Sequence, residues 1–317
     1  MQVGVHCNGF SLSPLWAAMN DGRTTMKTGN LPGTGEVVLD HCGHFVADAD
    51  AAREALDRLG FTVTPFSAQV QPDPATGQMR LTGTGNICVM LPQGYLEVLV
   101  HTADTAIGRE FQAALDRRAG LHLAAFGLAD TRARHAELVA TGLDMRPLVH
   151  FSREVGTETG VETAAFTVAR IAAGEMPEGR VQCLTHHTES ALWQPRWTTH
   201  ANGARALDAI VLSAPDPAES AARFARFLGR PARAHGSGLR IALDRGALEF
   251  LPEDAATALV GEAVDPGRPC FVGLRIGMAD LADLPDGIGG HRADGALVVP
   301  FGPALGPGVW LFQPARG

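Results

Sequence analysis

Val37-Val38-Leu39-Asp40-His41-Cys42-Gly43-His44-Phe45-Val46, followed by Ala47-Asp48 and the run Ala51–Leu59, decides the fold of this chain. The first ten residues read as a short apolar strand that ends at Ala47-Asp48. Asp48 or Asp50 can cap a helix, because a carboxylate there accepts hydrogen bonds from the first free backbone amides. Ala52, Ala55, Leu56 and Leu59 fall on the helical period, and Gly60 ends the run. Three more strands are predicted behind it, over Phe61–Phe66, Asn86–Leu91 and Tyr95–Val100, the last two joined by a Pro92-Gln93-Gly94 turn. The unit is strand, helix, three strands.

Working outward, the same order recurs. His122–Leu128 is a strand, Thr131–Ala140 a helix closed by Gly142, and strands follow near Leu148, Ala165 and Val181. Leu207–Ser213 opens a third copy, with Pro215-Asp216-Pro217 starting the helix Ala218–Leu228 before Gly229, and later strands at Leu239–Leu243 and Ala247–Leu251. Phe271–Ile276 begins a fourth copy that ends in Val309–Phe312; its helix, near Ala279–Leu284, is short. One βαβββ unit exposes an apolar sheet face that it cannot bury alone, so pairs of units must wrap a shared cleft. The expectation is an α+β fold of two domains: 1–35 as an N-terminal extension, 36–194 as the first pair, 195–205 as a linker, 206–317 as the second pair.

Composition narrows the function. Hydrophobic residues make up 45% and charged residues 19% of 317, which suits a sizeable buried core. A net charge of -8 gives no electrostatic reason to expect nucleic acid or an anionic membrane as partner. The basic stretch Arg223–Arg233 is broken by Phe224, Phe227 and Leu228 at helical spacing, so it reads as the wet side of an amphipathic helix. No apolar run approaches a membrane span, and Met1–Gly35 lacks the pattern of a secretory signal. The five cysteines, Cys7, Cys42, Cys88, Cys183 and Cys270, are scattered and odd in number, as small buried residues of a cytoplasmic protein would be. Lys27 is the only lysine beside abundant arginine and alanine, a bias of GC-rich bacterial genomes; it also removes phosphate-loop and Schiff-base chemistry from the body of the chain.

Leu39-Asp40-His41, Gly83-Thr84-Gly85-Asn86 and Gly94-Tyr95-Leu96-Glu97 resemble the first unit of glyoxalase-like proteins, the vicinal-oxygen-chelate superfamily of glyoxalases, bleomycin-resistance proteins and extradiol dioxygenases. Met176-Pro177-Glu178-Gly179-Arg180, His186-His187-Thr188 with Trp193, and His200-Ala201-Asn202-Gly203-Ala204 resemble a bacterial branch of it. The resemblance runs from Val37 to the C-terminus and implies a divalent metal held by the first and last strands of paired units. Carried over by position, the ligands are His41 and Glu97 from the first unit and His122 and His186 from the second, with Glu97 and His186 also as catalytic groups. His41 and His122 each stand four residues before a phenylalanine, Phe45 and Phe126. Glu97 sits mid-strand between Leu96 and Val98, where a charge is costly unless compensated. Strand alternation points only one of His186 and His187 inward, and the distance to Trp193 selects His186. Taken singly, each has a structural reading: His41 a core histidine, Glu97 an edge-strand glutamate facing water, His122 a strand-start residue. Imidazoles with a carboxylate suit zinc, iron, manganese or nickel alike.

The corresponding positions of the second half are Ala209, Glu249, Gly273 and Leu311, so that half reads as scaffold, homodimer surface or pocket wall. Three functions follow from the resemblance. The first is a metal-dependent lyase or isomerase acting on a small-molecule substrate with two neighbouring oxygens. The second is an Fe(II) extradiol-type ring-cleaving dioxygenase, for which Tyr95, on the strand face of Glu97, would be the tyrosine that stands beside the metal ligands. The third is a metal-free protein that sequesters a small molecule.

Overall fold

The computed structural model describes residues 30–73, 76–293 and 295–315. The first half forms β1 (Val37–Phe45), β2 (Ser67–Pro72), β3 (Met79–Met90), β4 (Tyr95–His101), β5 (Gly120–Leu128), β6 (Val149–Thr157), β7 (Gly160–Arg170) and β8 (Arg180–His186). They make one eight-stranded sheet in the order β2-β3-β4-β1-β5-β8-β7-β6. In the second half β9 (Ala204–Ala214), β10 (Ala232–His235), β11 (Gly238–Ala242), β12 (Ala247–Pro252), β13 (Cys270–Met278), β14 (His291–Ala293), β15 (Ala296–Pro300) and β16 (Val309–Pro314) repeat it as β10-β11-β12-β9-β13-β16-β15-β14. In each sheet the opening strands of two units meet antiparallel at the centre, and each is flanked by the closing strand of its own unit in parallel. The architecture is the α+β pairing of βαβββ units anticipated from the sequence.

The helices start where carboxylates can cap them. Asp48 accepts from the amides of Asp50 at 2.8 Å and Ala51 at 3.1 Å, opening α1 (Ala49–Arg58). An additional helix that the strand-and-helix reading left out, α2 (Ala106–Arg117), joins the first two units and is capped by Thr105. Asp130 caps α3 (Thr131–Ala140), a short turn α4 (Glu189–Leu192) follows β8, and Asp216 caps α5 (Pro217–Leu228), which ends at Gly229 with φ 66°. α6 (Glu253–Val260) follows β12, and the fourth unit keeps only a 3-10 turn, Leu281–Asp283, in place of its helix.

One strand is displaced from its expected place. Phe61–Phe66 is irregular, and the second strand of the unit begins at Ser67. Pro65 cannot donate to a ladder. The backbone of this segment is satisfied by side chains instead: Arg53 donates to the carbonyls of Val63 and Thr64, and Thr62 donates its amide to His200 Nδ1 at 3.0 Å. Most of the expected N-terminal extension, with Lys27 and Cys7, lies outside the described residues; Asn30 at its end donates to the Pro92 carbonyl at 2.8 Å.

The two sheets share one core. Leu39 and Phe126 of the first pack into the same apolar cluster as Leu212, Phe224, Phe250, Phe271 and Trp310 of the second. Backbone bonds cross between them, Leu39 N–H to the Arg245 carbonyl at 2.7 Å and Leu207 N–H to the Gln93 carbonyl at 3.0 Å. Their outward faces differ. That of the second sheet is filled by Val211, Val272, Val298, Val309 and Leu311 and covered by Ala256 and Leu259 of α6. That of the first sheet keeps a cavity. Among the described residues no helix is long and apolar enough to cross a membrane.

Candidate functional site

The first sheet curls around a cavity that opens to solvent. Alternate residues of the strands line it, as pleating requires: Tyr95, Glu97 and Leu99 from β4; Phe166, Val168 and Arg170 from β7; Arg180, Gln182, Leu184 and His186 from β8. His41 of β1 and Leu123 of β5 supply the floor.

A β-bulge sets the polar end. The register of β1 against β5 slips between Leu39 and His41, leaving Asp40 as the extra residue. A bulge of this kind turns two successive side chains to one face. Asp40 is 1% exposed and accepts from His41 Nδ1 at 2.7 Å, while His186 Nε2 lies 3.0 Å from its other oxygen. Burial would raise the Asp40 carboxyl; the charge and hydrogen bond of His186, joined by those of His41, outweigh it and hold it well below the usual carboxylate range. With Nδ1 held, His41 turns Nε2 toward Glu97 Oε2, 4.0 Å away, and its ring stacks on Tyr95 at 4.3 Å. Glu97 is held in the same way: Asn86 and Gln69 donate to Oε1 at 2.5 and 3.0 Å, leaving Oε2 for the cavity. The charge in mid-strand is thus compensated by two amides. His186 stands edge-on to Trp193 at 5.0 Å, whereas His187 points the other way and bonds Thr167.

Three of the four residues proposed from sequence, His41, Glu97 and His186, therefore share one cavity. His122 does not join them. It is the extra residue at a second bulge, where β1 and β5 slip between Gly43 and His44. There its ring stacks on Phe45 at 5.0 Å and its Nε2 lies 2.6 Å from the Arg118 carbonyl. Burial, with Arg118 nearby, pushes its pKa down to about 3, so the ring is neutral and donates that bond.

The two bulges correct the alignment of the two units. Asp40 stands as far before the capping Asp48 as His122 stands before the capping Asp130, so His41 corresponds to Leu123. Likewise Gly43, opposite Glu97 on β4, corresponds to Ala125, opposite Gln182 on β8. The matched quartet is His41, Glu97, Leu123 and Gln182, and all four line the cavity. Leucine offers no donor, and the Gln182 carbonyl oxygen already accepts from Arg170 Nε at 3.1 Å. Two donors converge where a protein-held metal asks for three or more. Among the described residues no group of three or more histidine, cysteine or carboxylate side chains is placed to hold an ion. The residues present do not fit the metal centre that the resemblance implies.

Reading by sequence missed Asp40, Gln69, Arg170, Arg180 and Gln182. The signal lay in β8, where Arg180, Gln182 and His186 fall on one face of the strand, interrupted only by Leu184. In the second sheet Glu249, the counterpart of Glu97, is neutralised by Arg240 at 2.5 Å and Arg275 at 2.8 Å, and Ala209, Gly273 and Leu311 add no donor.

Comparison with solved structures finds the same fold at low identity. A hypothetical protein from Staphylococcus aureus aligns with a TM-score of 0.60 at 10% identity, over 88% of this chain and 99% of that one. A variant of 4-hydroxymandelate synthase from Streptomyces coelicolor aligns with a TM-score of 0.50 at 14% identity, over 89% and 94%. A Mn(II)-bound glyoxalase from Novosphingobium aromaticivorans aligns at 0.48 and 14% identity, over 88% and 81%. No curated protein matches the chain. The family model described as a glyoxalase-like domain matches residues 39–228, more than half of the sequence and all of the first sheet but the first two residues of β1. With that match and the paired βαβββ units, the chain belongs to the glyoxalase-like domain family of the vicinal-oxygen-chelate superfamily.

Proposed function

We propose that the protein binds a small organic molecule in the cavity of its first sheet and moves a proton on it, with His41 and Glu97 as the exchanging pair. One observation carries this reading: His41 Nε2 and Glu97 Oε2 face each other across 4.0 Å, each fixed from behind by a buried polar partner. With one proton held on His41 Nε2, Glu97 can take a proton from a carbon beside a carbonyl while that N–H donates to the developing oxyanion, and can then return it. Tyr95, stacked on His41, and Phe166 and Leu184 on the facing strands would hold the apolar part of the molecule. Isomerase or lyase chemistry fits this arrangement. Extradiol ring cleavage is disfavoured, because it needs two histidines and a carboxylate on one iron, and the station of the second histidine is Leu123.

The test is proton exchange in deuterated water, followed by proton NMR, on a panel of small ketones, aldehydes and α-oxo compounds. Wild-type protein is expected to exchange the protons beside the carbonyl of at least one compound, and His41→Ala and Glu97→Gln to slow it by about 10² to 10⁴-fold. A compound that binds without exchanging would make this a sequestering protein. Absence of any binding would remove the cavity from consideration as a ligand site.

A second reading is favoured by Asp40, since a carboxylate behind the Nδ1 of a histidine is the usual support of a metal-ligating imidazole. On that reading a divalent ion at His41 and Glu97 takes its remaining donors from the bound molecule and water. Metal content of the protein measured with and without bound compound separates the two: an ion retained in stoichiometric amount supports the second.

A further inference from the structure

The opposite end of the cavity holds two arginines that no carboxylate among the described residues neutralises. Arg180, Gln182 and Arg170 form a contiguous group on one sheet face, since Arg180 and Gln182 alternate along β8 and Arg170 pairs with Gln182 from β7. Arg170 donates Nε to Gln182, which leaves its two terminal nitrogens for the cavity. Its guanidinium lies over the ring of Phe151 at 5.6 Å, and that of Arg180 lies over Phe45 at 5.5 Å. Among the described residues neither makes an ion pair. Glu110, whose charge both feel, is already engaged by Arg146 at 3.1 and 3.3 Å, and the other carboxylate they feel is Glu97. Both arginines also line a second cleft, where Arg146 is paired with Glu110 and Arg117 with Asp265.

Withdrawing two guanidinium groups partly from water without counter-charges is costly, and this desolvation depresses the pKa of both, that of Arg170 to about 10. Aromatic faces repay only part of that cost. A planar fork of donors matches a carboxylate or phosphate, which would satisfy both side chains. Along β8 the row of Arg180 coincides with that of Leu123, Gly43 and Glu97, and the row of Gln182 with that of Ala125 and His41. An oxyanion held by the arginines therefore sits across the sheet from the His41–Glu97 pair, at the far end of one continuous wall.

We infer that Arg170, Arg180 and Gln182 form a receptor for an oxyanion, and that the molecule bound in the cavity is a small organic acid, a carboxylate or phosphate ester, with an apolar body. This rests on the cavity being a ligand site, as proposed above, and specifies the charge of the ligand.

Isothermal titration with benzoate, phenyl phosphate and the neutral benzamide tests it on the wild-type protein. Either anion is expected to bind at least tenfold more tightly than benzamide, and its affinity to fall as sulfate is added. The better of benzoate and phenyl phosphate identifies carboxylate or phosphate as the group recognised. Arg170→Gln with Arg180→Gln should erase the tenfold preference, whereas Arg170→Lys with Arg180→Lys should keep part of it. Benzamide binding as tightly as both anions would overturn the inference while leaving the cavity as a ligand site. No binding of any of the three probes would overturn both.

Discussion

Replacing Asp40 with asparagine probes the tie on which the orientation of the site depends. Asp40 accepts from His41 Nδ1 at 2.7 Å and from His186 Nε2 at 3.0 Å, and is 1% exposed. Asparagine keeps the volume but has one acceptor oxygen and no charge. A hydrogen bond to a charged group is worth about 1.5–3 kcal/mol and a neutral one about 1, so weakening one bond and losing the other should cost about 2–4 kcal/mol. For a chain of 317 residues an unfolding entropy of about 2.1 cal/mol/K per residue gives about 0.7 kcal/mol/K, hence a fall in Tm of about 3–6 °C near neutral pH. The pH dependence has a definite sign. The carboxyl pKa is lower folded than unfolded, so its contribution is complete above the unfolded value of about 4 and is lost as pH falls. Thermal unfolding of both proteins from pH 7 to pH 3 should show the gap narrowing toward the acid end. Equal Tm values at pH 7, or a gap that does not change with pH, would refute the assignment of Asp40 as the charged anchor of both histidines.

Other substitutions address the remaining parts of the site. His122→Ala should lower stability by about 2–3 kcal/mol through lost burial and the lost bond to Arg118, yet leave benzoate affinity in titration unchanged; a tenfold weakening would return His122 to the site. Leu123→His with Gln182→Glu fills the two empty stations of the matched quartet, and this double variant should bind zinc at least tenfold more tightly than wild type in titration of metal-stripped protein; no gain in zinc affinity would mean that the bulge-based alignment is wrong. Gly43→Ala should cost about 1–3 kcal/mol in denaturant unfolding, because its new Cβ would lie 2.9 Å from that of Leu123; an unchanged midpoint would show that the floor yields more easily than its packing suggests.

The order of elements was legible because each of its signals is local. Apolar strands, capping aspartates at 48, 130 and 216 and closing glycines repeat along the chain, and a unit that exposes one apolar face must pair. Glu97 was legible for the same kind of reason, as a charge in an apolar strand, and alternation sends His186 rather than His187 into the cavity. The partnership of His41 with His122 failed by a single residue. Phe45 and Phe126 suggest one alignment of the two copies, and the bulges at Asp40 and His122 impose the next. A slip of one position on a strand changes which side chains meet, and a bulge leaves no mark in hydrophobic periodicity. Only the folded sheet, by bringing strands distant in sequence into one register, decided that the histidine position of the second unit is a leucine and that unpaired arginines close the other end of the cavity.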